Sequence, residues 1–239
     1  SSLPVEVVLV DNASRDGVPQ AIAHEHANDE RVRVVFNAAN LGFGPAVNRA
    51  AKLASAGALL ILNPDCMLEP DTPARLLAVL HAHPDAGVVG AVVCDARGNP
   101  DPASSRRDPL LRRALMTLTG LAKRETGDEK YQGVNLPGPI PHRLVETENV
   151  SGALMLVPRG AFERLGGFDE GYFLHCEDLD LCRRARDAGF AVLLAGDVRV
   201  LHGKGGSSSH RPVFVSRHKH RGMWRWFRKF DPAARNPLT

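Results

Sequence analysis

Long apolar runs are absent from this 239-residue chain, in which no apolar stretch reaches 18 residues. A charged and then apolar opening segment, the pattern of a signal peptide, is also absent. We therefore expect a soluble or peripheral protein rather than a membrane-spanning or secreted one. The expected location is the cytoplasm.

Cysteine is scarce, and its four copies form no C-x-x-C pair. They fall in apolar or helical contexts, so the sequence indicates neither a zinc site nor a disulfide framework. A reducing compartment fits this pattern. The four residues are Cys66, Cys94, Cys176 and Cys182.

Net charge is also small, at +3, but it is unevenly spread. Residues 210–229 carry seven Arg or Lys and no acid, interleaved with aromatic side chains at Trp224, Trp226 and Phe227. No nucleic-acid-binding module is evident, so we expect no nucleic-acid partner. The tail could instead contact an anionic membrane surface, or form a packed helix whose arginines face water or phosphates.

Hydrophobic residues make up 44% of the chain, enough for a full core in one domain over residues 1–239. Strands and helices alternate through residues 1–94, and regular patterns return at 147–209. Residues 95–146 are irregular and rich in Pro, Gly and Arg, which we interpret as a substrate-facing insertion. The basic aromatic tail covers 210–239. Because the chain begins at Ser1 without Met, we expect that preceding residues were removed or are not included.

Short apolar runs bounded by turn residues predict strands, and helical periodicity predicts helices. The predicted strands are 5–10, 32–36, 58–62, 88–93, 149–157, 191–194 and 198–201. The predicted helices are 18–28, 45–56, 72–83, 110–123, a short one ending at Leu165, and one that begins at Glu177 and stops at Gly189. This order predicts an α/β fold whose sheet is mostly parallel, with helices on both faces.

Polar side chains end several of these strands, which is where ligands bind in open parallel sheets. Asp11 and Asn12 follow the first strand and could contact a base edge or a ribose. Asp65 ends the third strand and His202 the last. Mg²⁺ and Mn²⁺ take one or two protein ligands, and an imidazole favours Mn²⁺. Asx-turns and a structural histidine are the alternatives.

A Gly-rich segment, 203–209, follows His202 and carries Lys204. The backbone N–H groups of such a loop, together with a lysine ammonium, can approach a diphosphate. A flexible surface loop is the alternative interpretation.

Two adjacent carboxylates, Glu177 and Asp178, stand at the start of a predicted amphipathic helix, just after the Gly-rich aromatic loop 166–173. The helix dipole and the unpaired N–H groups there favour an ionised carboxylate, a state suited to a general base. Ordinary helix capping explains the same residues without chemistry.

These motifs, in this order, resemble the family 2 glycosyltransferases with a GT-A fold, particularly the bacterial rhamnosyltransferase-like branch. The match covers almost the whole chain and is weakest in the insertion. Its motifs are Asp11-Asn12-x-Ser14-x-Asp16-Gly17, Asn40-x-Gly42-Phe43-Gly44-x-x-x-Asn48, Asn63-Pro64-Asp65, Gly152-Ala-x-Met-x-x-Pro158-Arg159, Gly166-Gly167-Phe168-Asp169-Glu170, Glu177-Asp178-x-Asp180-Leu-Cys-x-Arg184 and the strand end at His202.

The resemblance implies a role for each matching residue. The nucleotide would contact Asp11 and Asn12 in the nucleotide-binding half, 1–94, and a Mn²⁺ or Mg²⁺ would lie on Asp65 and His202. Asp178, beside Glu177, would be the base that deprotonates the acceptor hydroxyl, giving inversion at the anomeric carbon. The nucleotide-sugar pocket would be lined by Asn40, Gly42 and Asn48, with Lys204 near the phosphates.

The implied donor is a dTDP- or UDP-sugar, with dTDP-rhamnose favoured, and the implied acceptor is a glycan or a lipid-linked glycan in cell-surface polysaccharide synthesis. Peripheral contact with the inner face of the plasma membrane fits such an acceptor. Two departures from the family pattern stand out. Asn63 replaces the first carboxylate of the usual Asp-x-Asp, and the family's opening strand would lie upstream of Ser1. A catalytically silent sugar-nucleotide-binding scaffold and a nucleotidyltransferase are the competing hypotheses.

Overall fold

The computed structural model describes residues 3–125, 129–203 and 212–235. The strands in these ranges are β1 (Val7–Asp11), β2 (Val32–Phe36), β3 (Ala58–Leu62), β4 (Cys66–Met67), β5 (Ala86–Cys94), β6 (Ser105–Arg106), β7 (Leu144–Glu146), β8 (Asn149–Val150), β9 (Leu154–Pro158) and β10 (Ala191–His202). The α-helices are α1 (Val18–Glu25), α2 (Phe43–Leu53), α3 (Thr72–Ala82), α4 (Leu111–Leu118), α5 (Arg159–Arg164), α6 (Glu177–Asp187), α7 (Pro212–Phe230) and α8 (Pro232–Arg235). None of these helices is long and apolar enough to cross a membrane.

A six-stranded sheet lies at the centre of the fold, in the order β3-β9-β5-β10-β4, with β7 also paired to β10. β5 and β10 run parallel. β9 runs antiparallel to both β3 and β5, and β4 and β7 run antiparallel to β10. β1 pairs in parallel with β2 in a separate sheet, and β6 pairs with β8 in another.

The α/β class is confirmed, but the central sheet is mixed, so the predicted predominance of parallel pairing is wrong there. The short strands β4 and β7 pair antiparallel with β10, and β9, which follows the irregular segment instead of a crossover helix, enters between β3 and β5 in the opposite direction. The strand–helix alternation that indicates parallel pairing stops at Cys94.

Helices cover both faces of the sheet, as predicted. All nine residues of β5 are buried, which is typical of a strand covered on both sides. On one face Val88 and Val92 pack with Phe162 of α5 and Leu181 of α6. On the other face, a second cluster joins the sheet to Leu76 and its neighbours on α3.

Several predicted element boundaries moved, three of them by more than a few residues at an end. The predicted strand 149–157 is interrupted at 151–153, which separates β8 from β9. Strands 191–194 and 198–201 join into β10, whose register against β5 shifts between Ala195 and Arg199. α4 ends at Leu118, because Gly120 adopts a left-handed φ of 75° and starts a 3-10 turn, Leu121–Arg124.

The basic tail contains the helix α7, which packs against the protein. Trp226 is fully buried and belongs to a cluster with Tyr172, Leu179 and Phe227. Leu111 of α4 packs against the same cluster. The tail therefore contains a packed helix, and membrane contact by the exposed side of that helix stays a prediction.

Candidate active site

Asp65 and His202 meet at one edge of the central sheet. Asp65 lies in the turn after β3, and His202 is the last residue of β10. The Oδ1 atom of Asp65 is 3.0 Å from Nε2 of His202, and the amide nitrogen of Asn63 lies 3.4 Å from the same Nε2. The structure thus brings the two residues together, while their role as metal ligands stays a prediction.

Cys66 adds a third donor atom to this cluster. Its Sγ, one carboxylate oxygen of Asp65 and one ring nitrogen of His202 all lie within 4.8 Å of one another. The thiol donates a hydrogen bond to the carbonyl of Ala153 at 3.4 Å. Burial, reinforced by the charge of Asp65, raises the pKa of Cys66 to about 11. With the side chain of Asp65 35% exposed, the residues present fit a divalent cation that remains open to a ligand.

Asp178 lies in the first turn of α6 and is buried. Its Oδ2 accepts hydrogen bonds from Arg106 at 3.0 Å and from the backbone N–H of Gly152 at 3.1 Å. Its Oδ1 accepts one from the N–H of Leu179 at 2.8 Å. A carboxylate oxygen can accept two hydrogen bonds, so Oδ1 retains capacity for one more donor.

Glu177 precedes Asp178 and meets a different environment. It is 7% exposed, and its Oε2 has no hydrogen-bond partner within the described residues. Burial, together with the neighbouring charge of Asp178, raises the pKa of Glu177. The two adjacent carboxyl groups therefore have different hydrogen-bonding surroundings.

A short segment, 151–153, connects the two clusters. The N–H of Gly152 donates to Asp178, while the carbonyl of Ala153 accepts from the backbone N–H of Asn63 at 3.0 Å and from the Cys66 thiol. Two consecutive residues therefore hold both clusters: Gly152 binds Asp178 of α6, and Ala153 binds the turn that contains Asp65.

Asp11 and Asn12 are held by neighbouring polar groups at the end of β1. The carboxylate of Asp11 accepts from the N–H of Ser14 at 3.0 Å, which is a hydrogen-bonded turn of the kind weighed as the alternative. Asn12 donates to the carbonyl of Gly42 at 2.9 Å and accepts from the amide of Asn37 at 2.8 Å. Their predicted contact with a nucleotide stays a prediction.

The loop at 40–43 is pressed against Phe173. Asn40 accepts from the N–H of Gly42 at 2.9 Å, and the N–H of Phe43 donates to the carbonyl of Phe173 at 3.1 Å. Gly42 has φ 96°, and a Cβ there would lie 2.6 Å from that carbonyl oxygen. Only glycine satisfies both conditions.

Asn48 joins α2 to the Gly-rich aromatic loop. Its amide nitrogen donates to the carbonyl of Phe168 at 2.9 Å and to Glu170 at 3.0 Å, and its oxygen accepts from the N–H of Phe168 at 2.8 Å. Both ends of the amide are thus used to position the loop. Its predicted place in the sugar-nucleotide pocket stays a prediction.

The same loop is held from its other side by α7. Asp169 accepts from Arg225 at 2.9 Å and from Lys229 at 2.8 Å, and Lys229 also reaches the buried Asp180 at 2.6 Å. Burial acts to raise the pKa of Asp169, but the hydrogen bonds from Lys229 and Arg225 outweigh it and lower the pKa to about 2. Two non-glycine residues with left-handed backbone, His175 and Cys176, lead from this loop into α6.

Comparison with known proteins identifies the family. Residues 1–143 match the family model described as glycosyl transferase family 2. The N-acetylglucosaminyl-diphospho-decaprenol L-rhamnosyltransferase of Mycobacterium tuberculosis is 32% identical over 93% of this chain and 78% of its own length. The chain belongs to glycosyl transferase family 2. This glycosyltransferase also resembles the rhamnosyltransferase WbbL of Escherichia coli, which is 28% identical over 60% of the chain and 51% of the relative.

Solved structures show the GT-A fold. The mannosyltransferase PcManGT of Pyrobaculum calidifontis, in complex with GDP-Man and Mn²⁺, has a TM-score of 0.62 at 20% identity over 98% of the glycosyltransferase. GalNAc-T7 with UDP, GalNAc and Mn²⁺ has a TM-score of 0.68 at 17% identity over 97%. The glycosyltransferase spans 58% and 43% of those two chains, respectively.

The predicted site residues of the glycosyltransferase form two groups in the structure. One group surrounds the 151–153 segment, and the other lies where the 40–43 loop contacts Phe173. Lys204 falls outside the described residues. The first group is Asp65, His202, Glu177 and Asp178, and the second is Asn12, Asn40, Gly42 and, beside it on α2, Asn48. Asp11 precedes Asn12 at the end of β1, and its carbonyl accepts from the N–H of Asn37 at 2.9 Å.

Two residues of the site were missed by sequence reasoning. Arg106, which pairs with Asp178, comes from the irregular insertion, where no periodicity indicates its position. Cys66 was set aside because it lacks a C-x-x-C partner, although it directly follows Asp65. Spacing along the chain gives no signal for either contact, because both depend on how distant strands pair.

Proposed function

We propose that this protein is a metal-dependent inverting glycosyltransferase that moves a sugar from a dTDP- or UDP-linked donor to a glycan or lipid-linked acceptor. The favoured donor is dTDP-rhamnose and the favoured transferred sugar is L-rhamnose, because the M. tuberculosis relative is named as an L-rhamnosyltransferase. That relative's name also describes a lipid-linked acceptor, an N-acetylglucosaminyl-diphospho-decaprenol. Residues 1–94 would be the nucleotide-binding half of a single domain.

One observation carries the proposal: the turn at 151–153 contacts both clusters. Gly152 donates to the buried carboxylate of Asp178, and Ala153 accepts from Asn63, which lies beside the Asp65–His202 pair. A transferase needs a base for the acceptor hydroxyl and a cation for the departing diphosphate within one substrate's length. This turn holds candidates for both.

Asp178 is the proposed base. Its Oδ1 retains an acceptor position for the acceptor's O–H, while Arg106 and the N–H of Gly152 hold Oδ2 and fix the orientation of the carboxylate. As the acceptor oxygen bonds to the anomeric carbon, the bond from that carbon to the diphosphate oxygen breaks, and Asp178 receives the hydroxyl proton. Attack opposite to the leaving group inverts the anomeric configuration.

Asp65 and His202 would hold the Mn²⁺ or Mg²⁺, and this cation would supply positive charge for the diphosphate oxygens. Asn63 lies beside this pair, its amide nitrogen 3.4 Å from Nε2 of His202. On the donor side, Asp11 and Asn12 would contact the nucleotide, and Asn40, Gly42 and Asn48 would shape the sugar pocket. Lys204 is proposed to approach the phosphates.

The proposed donor is tested by calorimetric titration with dTDP-rhamnose, UDP-glucose and UDP-N-acetylglucosamine, each with and without Mn²⁺. We expect metal-dependent binding of one donor, with dTDP-rhamnose the tightest. Absence of binding by any nucleotide sugar would contradict the proposal. Binding without acceptor-dependent release of nucleoside diphosphate would instead support a silent binding domain.

The proposed base is tested by Asp178→Asn, which should lower turnover by a factor of about 10² to 10⁴ and leave donor affinity unchanged, because general-base contributions are of that size. Asp187→Asn is the matched control, since Asp187 lies on the same helix in an exposed pair with Arg183. Turnover retained in Asp178→Asn would refute the assignment of the base.

A cytoplasmic location with peripheral contact at the membrane is proposed through α7. Arg217 and Arg221 are exposed on this helix, Trp224 is 57% exposed, and residues 212–230 contain no acid. Exposed cations and an aromatic ring on one helix fit an anionic lipid surface.

Charge reversal tests this contact by co-sedimentation with vesicles of phosphatidylglycerol and phosphatidylcholine. Because each cation near such a surface contributes about 1 kcal/mol, reversing Arg217 and Arg221 to Glu should weaken binding by at least about tenfold. Reversing Lys52 and Arg97, which are exposed elsewhere, should change binding far less. Equal effects of the two double variants would count against α7 as the contact.

A further inference from the structure

Cys66 and His202 are directly paired across two strands. β4 runs antiparallel to the end of β10, and the register places Cys66 opposite His202. Residues paired in this way project from the same side of a sheet with their Cβ atoms about 5 Å apart. Asp65 precedes Cys66 and reaches His202 at 3.0 Å. The strand pairing therefore collects oxygen, nitrogen and sulfur donors at one point.

The spacing of these donors suits a single ion. Their three atoms lie within 4.8 Å of one another. Bonds of about 2.0–2.3 Å around a tetrahedral zinc place donors roughly 3.5 Å apart. Side-chain rotations that move each donor atom by about an ångström would bring the three atoms to this separation. Three protein donors would leave a fourth position for a phosphate oxygen or a water, and the side chain of Asp65 is 35% exposed.

Turning the thiol toward an ion costs the surrounding structure little. The hydrogen bond from Cys66 to the carbonyl of Ala153 would be lost, but that carbonyl also accepts from the backbone N–H of Asn63. It therefore stays satisfied. The thiol proton would be released to solvent as the sulfur–metal bond forms.

Resting on the metal role proposed above for Asp65 and His202, we propose that Cys66 is a third, sulfur ligand at that site, and that it gives the site a preference for thiophilic divalent cations such as Zn²⁺, Co²⁺ and Cd²⁺. Mg²⁺ and Mn²⁺ prefer oxygen ligands and gain little from a thiolate, whereas zinc and cobalt bind it strongly. The sequence indicated no zinc site because its cysteines are not spaced as one. In the fold, the pairing of β4 with β10 brings Cys66 next to His202.

The direct test is the absorption spectrum of the full chain titrated with Co²⁺ alone. We expect a sulfur-to-cobalt charge-transfer band in the near ultraviolet, with intense visible bands typical of tetrahedral cobalt. Cys66→Ser and Cys66→Ala should both abolish the charge-transfer band. Asp65→Asn and His202→Gln should weaken Co²⁺ binding. A band that survives in both Cys66 variants, or a parent spectrum without it, would overturn the proposal.

Metal affinities give the second readout. In competition titrations Cys66→Ser should lower the affinity for Zn²⁺ by roughly 100-fold or more, since even indirect partners of a ligand are worth 10- to 100-fold. The affinity for Mn²⁺ should change by less than about threefold. Equal losses for the two ions would refute a sulfur ligand. Neither measurement uses a sugar nucleotide, so its result is independent of whether the proposed transferase activity is found.

Discussion

Glu177 and Asp178 are neighbours in the chain, yet their side chains meet different surroundings. Asp178 accepts from Arg106 and from two backbone N–H groups, whereas Oε2 of Glu177 is buried without a partner in the described ranges. The sequence could place both at the start of a helix. It could not separate their roles, because Arg106 and Gly152 come from segments 72 and 26 residues away.

The raised pKa of Glu177 predicts how stability depends on pH. Below its ordinary value of 4.5, Glu177 is protonated in both the folded and unfolded chain. Above 4.5 the unfolded chain ionises while the buried carboxyl keeps its proton, so folding loses up to about 1.4 kcal/mol per pH unit until the raised pKa is reached. Glu177→Gln should remove this loss. Its free energy of unfolding relative to the parent should therefore rise with pH from 4.5 upward.

Urea denaturation at several pH values measures this difference. Glu163→Gln is the matched control, because the side chain of Glu163 is 65% exposed in α5 and should give no comparable pH-dependent gain. A Glu177→Gln difference that stays flat from pH 5 to neutral would show that the carboxyl is ionised in the folded protein.

At the scale of elements, α7 holds the segment that leads into α6. Gly222 lies against the carbonyl oxygen of His175, and a Cβ at Gly222 would be 2.7 Å from it. His175 and Cys176 have φ values of 68° and 72°, a conformation that costs energy in non-glycine residues. The close approach of α7 thus supports the strained backbone just before Glu177.

Gly222→Ala should consequently destabilise the protein, by about 1–3 kcal/mol, because overpacking a close contact has this cost. It should also lower turnover, since the start of α6 would shift. Gly160→Ala is the control: Gly160 is helical in α5, with no neighbouring atom within 4 Å of an added Cβ, and alanine there should stabilise slightly. Thermal unfolding and turnover check both variants. If Gly222→Ala left both the unfolding temperature and turnover unchanged, α7 would not support this segment.

Elements with a strong periodic pattern were predicted well, and those defined by distant pairing were not. β2 and β3 match their predicted bounds, and α6 starts at Glu177 as predicted. The direction of β9 was missed, because a short apolar run has the same pattern whichever way it pairs. Of the predicted strand-end residues, Asp65 and His202 meet, whereas Asn12 contacts Gly42 of the 40–43 loop. Arg106 and Cys66 joined the site only through the insertion and the β4–β10 pairing.

On the scale of the whole molecule, the 166–176 loop joins the N-terminal and C-terminal parts of the fold. Asn48 and Phe43 hold it from α2, and Arg225 and Lys229 hold it from α7. Because the loop is held from both sides and leads into α6, we expect a displacement of either helix to reach α6. The ion pairs of Asp169 are the part of this arrangement that a single substitution can weaken.

The two tryptophans make this coupling measurable. Both lie on α7, where Trp226 is fully buried against the rest of the protein and Trp224 is 57% exposed, so a Trp224→Phe background leaves Trp226 as the reporter of α7 docking. In that background we expect Trp226 fluorescence and far-ultraviolet circular dichroism to change together in urea. Adding Asp169→Asn should weaken docking by about 1 kcal/mol, since the partners are partly exposed, and Trp226 should then become exposed before the global transition.

Acid should produce the same undocking without a substitution. The depressed pKa of Asp169 means that its contribution is complete above 3.8 and is lost as the pH falls toward about 2. The increase in Trp226 exposure across that window should therefore be larger in the parent than in Asp169→Asn, which has already lost the ion pairs at higher pH. Asp187→Asn, which breaks only an exposed pair on α6, should behave like the parent. Coincident urea transitions in Asp169→Asn would show that α7 and the rest of the fold unfold as one unit whether or not these ion pairs form.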